Sequence, residues 1–273
     1  MALDDREWRL VREETWDGAM NMALDEVAAA TAASGGPRTV RVYRWDPGTL
    51  SLGYNQDPET IDWEFCDREG ISVTRRPTGG GGIYHDTYGD ISYTIVAPAS
   101  ELPGNLMDTY ALLCEPILDT FERLGVPATF AKESLPALHQ PACYLRELHP
   151  AHDVVVRTHG DSRKISGNAQ YRRKDAIIQH GSLKYDLRPA RHLGTFVEPG
   201  VSPDGLRERV TTIKEHVDVS RSEAVDALEA SLQEWANAEK DTWRPSEVSA
   251  ARTRAREKFR SDTWNRERTD PLA

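Results

Sequence analysis

Apolar and polar positions divide this chain into short strands and a few longer helices. Residues 8–11 read as a first strand. An alanine-rich stretch with apolar residues at helical spacing predicts a helix over 19–33, and Ser34-Gly35-Gly36-Pro37 breaks it. Residues 39–45 alternate as a half-buried strand. Asp46-Pro47-Gly48 then turns the chain, and 50–54 is expected as the second strand of that hairpin. A short helix over 61–69 leads into a strand at 72–75. Tyr84 and residues 90–96 read as strand again. Residues 106–124 form a longer amphipathic helix that stops at Gly125, a residue suited to a helix C-terminus. A strand begins at 128, and 132–152 is a long loop. Residues 153–158 and 163–165 pair around His159-Gly160-Asp161, and 168–172 pairs with 176–187. From Val219 the pattern turns helical, over 221–239 and 246–259. The expected class is α+β, a largely antiparallel sheet flanked by helices. The expected division is a catalytic domain over 1–218 and a small helical tail over 219–273 packed on it.

Composition narrows the function classes. At 38% hydrophobic and 29% charged residues the chain is globular rather than disordered. No apolar run approaches the roughly 20 residues that span a bilayer. The charged N-terminus has no apolar signal core, so a cytoplasmic protein is expected. The net charge of −10 disfavours nucleic acid as a partner, since backbone binding needs a basic face. A local basic patch remains at Arg172, Arg173 and Lys174. Lysine is scarce, which suggests a high-salt or GC-rich source. Cys66, Cys114 and Cys143 show no metal or disulfide spacing, and each reads by default as an ordinary buried thiol. No metal ligand is assigned.

Three segments carry candidate chemistry. Arg75-Arg76-Pro77-Thr78-Gly79-Gly80-Gly81-Gly82 lies between two strands. Consecutive glycines are costly to order and make sense where a ligand approaches the backbone closely. Their N–H groups can cradle an anion, and the two arginines add positive charge. Neither a Walker loop nor a Rossmann fingerprint fits. Read alone, the loop is a flexible turn beside two surface arginines, and His85-Asp86 behind it is a structural pair. Lys164 stands in Arg163-Lys164-Ile165-Ser166-Gly167-Asn168-Ala169-Gln170, at an expected strand end before a tight Ser-Gly turn. There it could point into a cleft and stabilise charge on an acyl group, or it could be a solvated hairpin lysine. His180-Gly181 suggests either a close ligand approach or a bulge.

In this order, the segments resemble the lipoate–protein ligases and octanoyltransferases, relatives of biotin–protein ligases. The family pattern runs Arg-Arg, two variable residues, three glycines, a few residues and His-Asp, then Lys-x-Ser/Ala/Val-Gly-Ser/Asn/Ala-Ala, then His-Gly on a later strand. Further similarity lies in Asn21-Met22-Ala23-Leu24-Asp25-Glu26, Arg41-Val42-Tyr43-Arg44-Trp45, Leu50-Ser51-Leu52-Gly53-Tyr54-Asn55-Gln56 and the segment from Lys258 to Asn265. The resemblance implies the family's α+β catalytic domain, with Lys164 against the acyl carbonyl. It implies a lipoyl and nucleotide site formed by Arg75, Arg76, Gly79, Gly80, Gly81, Gly82, Tyr84, His85, Asp86, Ser166, Gly167, Asn168, Ala169, His180 and Gly181.

Two mechanisms share the scaffold. A ligase uses ATP and Mg²⁺ to convert lipoate to lipoyl-AMP, then passes the lipoyl group to a lysine of a lipoyl domain, such as an E2 subunit or the glycine cleavage H protein. An octanoyltransferase needs no ATP and takes octanoyl from acyl carrier protein through a cysteine thioester. Some family members carry that cysteine in a loop like the one holding Cys143, with Lys164, His149 and His152 as candidate helpers. The stretch 79–93 is most similar to archaeal ligases whose catalytic chain works with a separate small accessory subunit, and the ligase is the expected activity. Alternatives are the octanoyltransferase and a non-catalytic module that holds lipoate or a nucleotide.

Overall fold

A computed structural model describes residues 6–149, 152–158 and 161–272. The chain runs β1 (Trp8–Trp16), α1 (Gly18–Ala33), β2 (Arg38–Trp45), β3 (Thr49–Leu52), α2 (Trp63–Arg68), β4 (Ser72–Arg75), β5 (Ile83–His85) and β6 (Asp90–Pro98). It continues with α3 (Leu106–Arg123), β7 (Ala128–Phe130), β8 (Asp153–Thr158), β9 (Asp161–Arg172) and β10 (Ala176–Lys184). The last part holds α4 (Pro189–Gly194), α5 (Pro203–Arg209), α6 (Arg221–Ala236), β11 (Glu239–Asp241), α7 (Pro245–Arg254) and α8 (Asp262–Asn265).

Eight strands form the main sheet in the order β11-β1-β2-β6-β10-β9-β8-β7. Only the pairings of β1 with β11 and with β2 are parallel; the rest are antiparallel. Both faces are covered, and the period of two along each strand sorts side chains between them. Val40, Val42, Tyr93 and Ile95 face a core shared with Leu113, Ile117 and Phe121 of α3 and Leu228 and Leu232 of α6. Tyr43, Trp45 and Val96 face a second core with Met20, Leu24 and Val27 of α1, Ala251 of α7 and Trp264 of α8. Elements of the tail, α6 on one face and α7 and α8 on the other, therefore cover both faces, and β11 adds an edge strand.

Local chemistry sets the helix ends. Asp17 caps α1 by accepting from the Met20 N–H, and Asn105 caps α3 through the Asp108 N–H. Gly125, at φ +74°, ends α3 as its position suggests. Ser220 and Glu223 form a capping box on α6, and Asn237 closes that helix in the left-handed region.

Two expectations change. Residues 39–45 and 50–54 do not form a hairpin: β2 lies in the main sheet, while β3 pairs with β4 and β5 in a separate three-stranded sheet. Lys164 is not at a strand end, because β9 runs unbroken through Ser166-Gly167. The pairing of β8 with β9 instead shifts register there, from Val154 opposite Ser166 to Val155 opposite Lys164. Such a bulge re-aims side chains without ending the strand. The turn residues His159 and Gly160 lie outside the described residues. Among the described residues, no helix is long and apolar enough to cross a membrane.

Candidate active site

Between the two sheets lies a cavity of about 420 Å³, within the usual span for small-molecule sites. Met22, Tyr43, Trp45, Ile83, Leu106 and Tyr110 supply apolar lining, and Cys143, Lys164, Asp153 and His152 supply polar groups. Arg76, Gly79, Gly80, His85, Gly167, Asn168, Ala169, His180 and Gly181 also line it. Arg75, Gly81, Gly82, Tyr84, Asp86 and Ser166 do not.

The polar cluster is built on Lys164. The residue is 5% exposed, and its Nζ lies 2.6 Å from Asp153 Oδ1 and 3.8 Å from Cys143 Sγ. Burial, the largest single influence, pulls the ammonium toward losing its proton, but Asp153 and Cys143 together outweigh it and Lys164 titrates above its ordinary range. Burial likewise opposes the charge on Asp153, yet the Lys164 ammonium holds that carboxyl well below its usual range. Asp153 Oδ2 also accepts the His149 backbone N–H at 2.8 Å. Gly167 makes room for the lysine: a Cβ there would stand 3.1 Å from Lys164 Cε and 3.3 Å from Nζ. That contact explains the spacing Lys-x-x-Gly on an unbroken strand.

Cys143 is the one cysteine on the cavity. Cys66 and Cys114 are buried, and burial pushes both thiols up to about 12. The Cys143 loop is laced to the glycine loop. Gly82 N–H donates to Pro141 O at 2.7 Å, and Cys143 N–H donates to Gly82 O at 2.9 Å. A Cβ on Gly81 would fall 2.6 Å from Pro141 O, so a glycine here permits backbone against backbone rather than backbone against ligand.

A buried polar chain supports the other wall. His180 Nε2 meets Thr78 Oγ1 at 2.7 Å and its Nδ1 lies 3.3 Å from Asp25 Oδ2, while Asp25 Oδ1 pairs with Arg41 at 3.1 Å. These contacts join Asn21–Glu26 and Arg41–Trp45, two motifs far apart in the chain. His85 stacks on Trp45 at 4.2 Å and meets Ser51 Oγ at 2.9 Å; burial lowers its imidazole to about 4, so it stays neutral. Asp86 accepts the Tyr88 and Gly89 N–H groups and so caps a turn. Tyr84 O–H donates to Asp86.

Residues 17–233 match the lipoyl protein ligase A/B catalytic domain. The chain belongs to that family. Octanoyltransferase LipM of Kyrpidia tusciae is 32% identical, covering 94% of this chain and 98% of its own length. LipM of Bacillus subtilis is 30% identical, covering 96% and 98%. Among solved structures, the fold is similar to a bipartite lipoate protein ligase of Thermoplasma acidophilum, described with its E2 lipoyl domain, at a TM-score of 0.77, 25% identity and 96% of both chains. It is also similar to lipoate-protein ligase A bound with ATP, at a TM-score of 0.77, 26% identity, 95% of this chain and 98% of that one.

The adjacent arginines of this lipoyl-ligase-family chain face opposite ways. Arg76 lines the cavity, but its guanidinium donates to Ser51 O, Gly79 O and Gly81 O, holding the glycine loop in shape. Arg75 is fully buried off the cavity and donates to the carbonyls of Gly53, Tyr54, Gln56, Trp264 and Asn265. It staples the 53–56 turn to α8, and burial lowers its guanidinium to about 10, still protonated at neutral pH. Arg75→Ala strands those carbonyls without a donor. A loss of about 3–5 kcal/mol is expected, read as a lower urea midpoint. An unchanged midpoint would contradict the staple.

Asp153 was not legible as a site residue. An acidic residue opening a strand is common, and only the β8–β9 pairing brings it to Lys164, eleven positions away.

Proposed function

We propose that this chain is an octanoyltransferase that moves octanoyl from acyl carrier protein to a lysine of lipoyl-domain proteins, through a thioester on Cys143. The placement of Cys143 Sγ 3.8 Å from Lys164 Nζ, on a cavity with apolar walls, carries this reading. In the first step the sulfur attacks the carrier thioester carbonyl, the bond to the carrier sulfur breaks, and the thiol proton leaves with the carrier thiol. The Lys164 ammonium stands beside the reacting sulfur, where it can stabilise the carbonyl oxygen as it gains charge. In the second step the acceptor amine attacks the enzyme thioester and Cys143 is released. E2 subunits and the glycine cleavage H protein are the acceptors this chemistry fits.

Full-length similarity to LipM relatives supports this reading over the ligase expected from the stretch 79–93. So does the arginine geometry: Arg75 points away from the cavity and Arg76 is engaged by three carbonyls, so neither offers a free fork to a triphosphate. Fold likeness to an ATP-bound ligase favours the second reading, in which lipoate, ATP and Mg²⁺ give lipoyl-AMP.

The deciding assay supplies an apo lipoyl domain with octanoyl–acyl carrier protein and no ATP, and in parallel with lipoate, ATP and Mg²⁺. Octanoylation of the domain in the first mixture alone is the expected result. Modification in the second alone would establish the ligase, and none in either would leave a binding module.

A further inference from the structure

The second half-reaction poses a problem that Lys164 does not solve. The acceptor lysine is an ammonium at neutral pH, with an ordinary pKa of about 10.4, and it must lose a proton before its nitrogen can attack. Lys164 holds its own proton firmly against Asp153. Cys143 carries the acyl group at that stage. Asp153 is already engaged by Lys164 and by the His149 N–H.

The cavity wall also carries Glu147, His85, His149, His152 and His180; His180 spends its two ring nitrogens on Thr78 and Asp25, and His85 lies against Ser51 and Asp90. The His152 ring is set against a carboxylate at one nitrogen: its Nδ1 lies 3.4 Å from Asp153 Oδ1. Both atoms are buried, and Oδ1 is also the atom that pairs with Lys164 Nζ at 2.6 Å. The ring is wedged by stacking on His149 at 4.8 Å and by Tyr110 at 5.2 Å, and about a third of its side chain is exposed. Asn168 fixes its backbone by donating to His152 O at 2.7 Å. An imidazole turned toward a carboxylate on one nitrogen, on the wall of a reaction cavity, is the arrangement of a general base.

We propose that His152, oriented by Asp153, takes the proton from the acceptor lysine during transfer off Cys143. The proposal rests on the octanoyltransferase reading. One ammonium proton passes to His152 and on to water. The C–N bond forms, the C–S bond breaks, and the second proton of the attacking nitrogen ends on the Cys143 sulfur. Asp153 thus serves two neighbours, holding Lys164 charged and His152 in register. Among the described residues, the titratable groups in contact with the ring are Asp153, His149 and Tyr110, and Lys164 pairs with the same Asp153 oxygen.

The test uses the full chain, octanoyl–acyl carrier protein, and two acceptors: a lipoyl domain, and hydroxylamine, which is uncharged at neutral pH. His152→Gln is expected to form the Cys143 thioester at the wild-type rate. Transfer from that thioester to the lipoyl domain is expected to slow about 10²-fold, with transfer to hydroxylamine unchanged. The slow transfer should recover as pH rises toward the acceptor amine's own pKa. Wild-type transfer to the lipoyl domain, an equal loss with both acceptors, or loss of thioester formation in the variant would overturn the assignment. Absence of any thioester in the wild-type protein would instead remove the octanoyltransferase reading, and this proposal with it.

Discussion

Cys143→Ala is expected to abolish transfer from octanoyl–acyl carrier protein, with a loss of roughly 10³-fold or more, the scale on which removing a nucleophile acts. No other thiol can replace it. Cys66 sits in the core of the small sheet and Cys114 in α3, both sealed from the cavity with thiols pushed up to about 12. The thiol is only half-buried, so the substitution should cost about 1 kcal/mol or less. A time course of lipoyl-domain octanoylation, beside a melting curve, separates the two effects. Wild-type transfer by folded Cys143→Ala would eliminate the thioester route. An ATP-dependent ligase would be indifferent to this change.

Lys164→Ala carries the second large effect. Its ammonium is the positive charge held against the reacting sulfur, and removing such a stabilising group costs about 10²–10³-fold in turnover. The same change strands Asp153, which is 2% exposed and depends on Lys164 for its charge. Removing one partner of a buried pair destabilises by about 3–5 kcal/mol, so the protein should fold yet melt earlier. Lys164→Ala with Asp153→Asn removes the orphaned charge. The double variant should regain much of the stability and none of the activity. Full activity in folded Lys164→Ala would refute its role at the acyl carbonyl.

Much of this site was legible because the chemistry is written locally. The glycine run, Lys164 with Gly167, and His180 stand in short motifs whose order is specific, and each contributes residues to the cavity. The helices were legible from periodicity and caps, as with Asn105 and Gly125 at the ends of α3. What the sequence hid is what folding brings together. The hairpin expected across Asp46-Pro47-Gly48 fails because adjacent strands enter different sheets, which no local pattern records. Arg75 and Arg76 look alike in sequence, yet one faces α8 and the other the cavity, as side chains on an extended strand alternate. Asp153 reads as the first residue of a strand, and His152 only as one candidate helper for Cys143, until β8 pairs with β9 and sets the carboxylate beside Lys164. The Cys143 loop was long and featureless in sequence. Its position is fixed by backbone hydrogen bonds to Gly82, which depend on a neighbour sixty-one positions from Cys143.

The most direct measurement is the intact mass of the protein after incubation with octanoyl–acyl carrier protein in the absence of ATP. The thioester account predicts one octanoyl adduct per chain, removed by hydroxylamine, absent in Cys143→Ser, and discharged when an apo lipoyl domain is added. An unmodified chain in that mixture, together with lipoylation of the domain from lipoate, ATP and Mg²⁺, would contradict it.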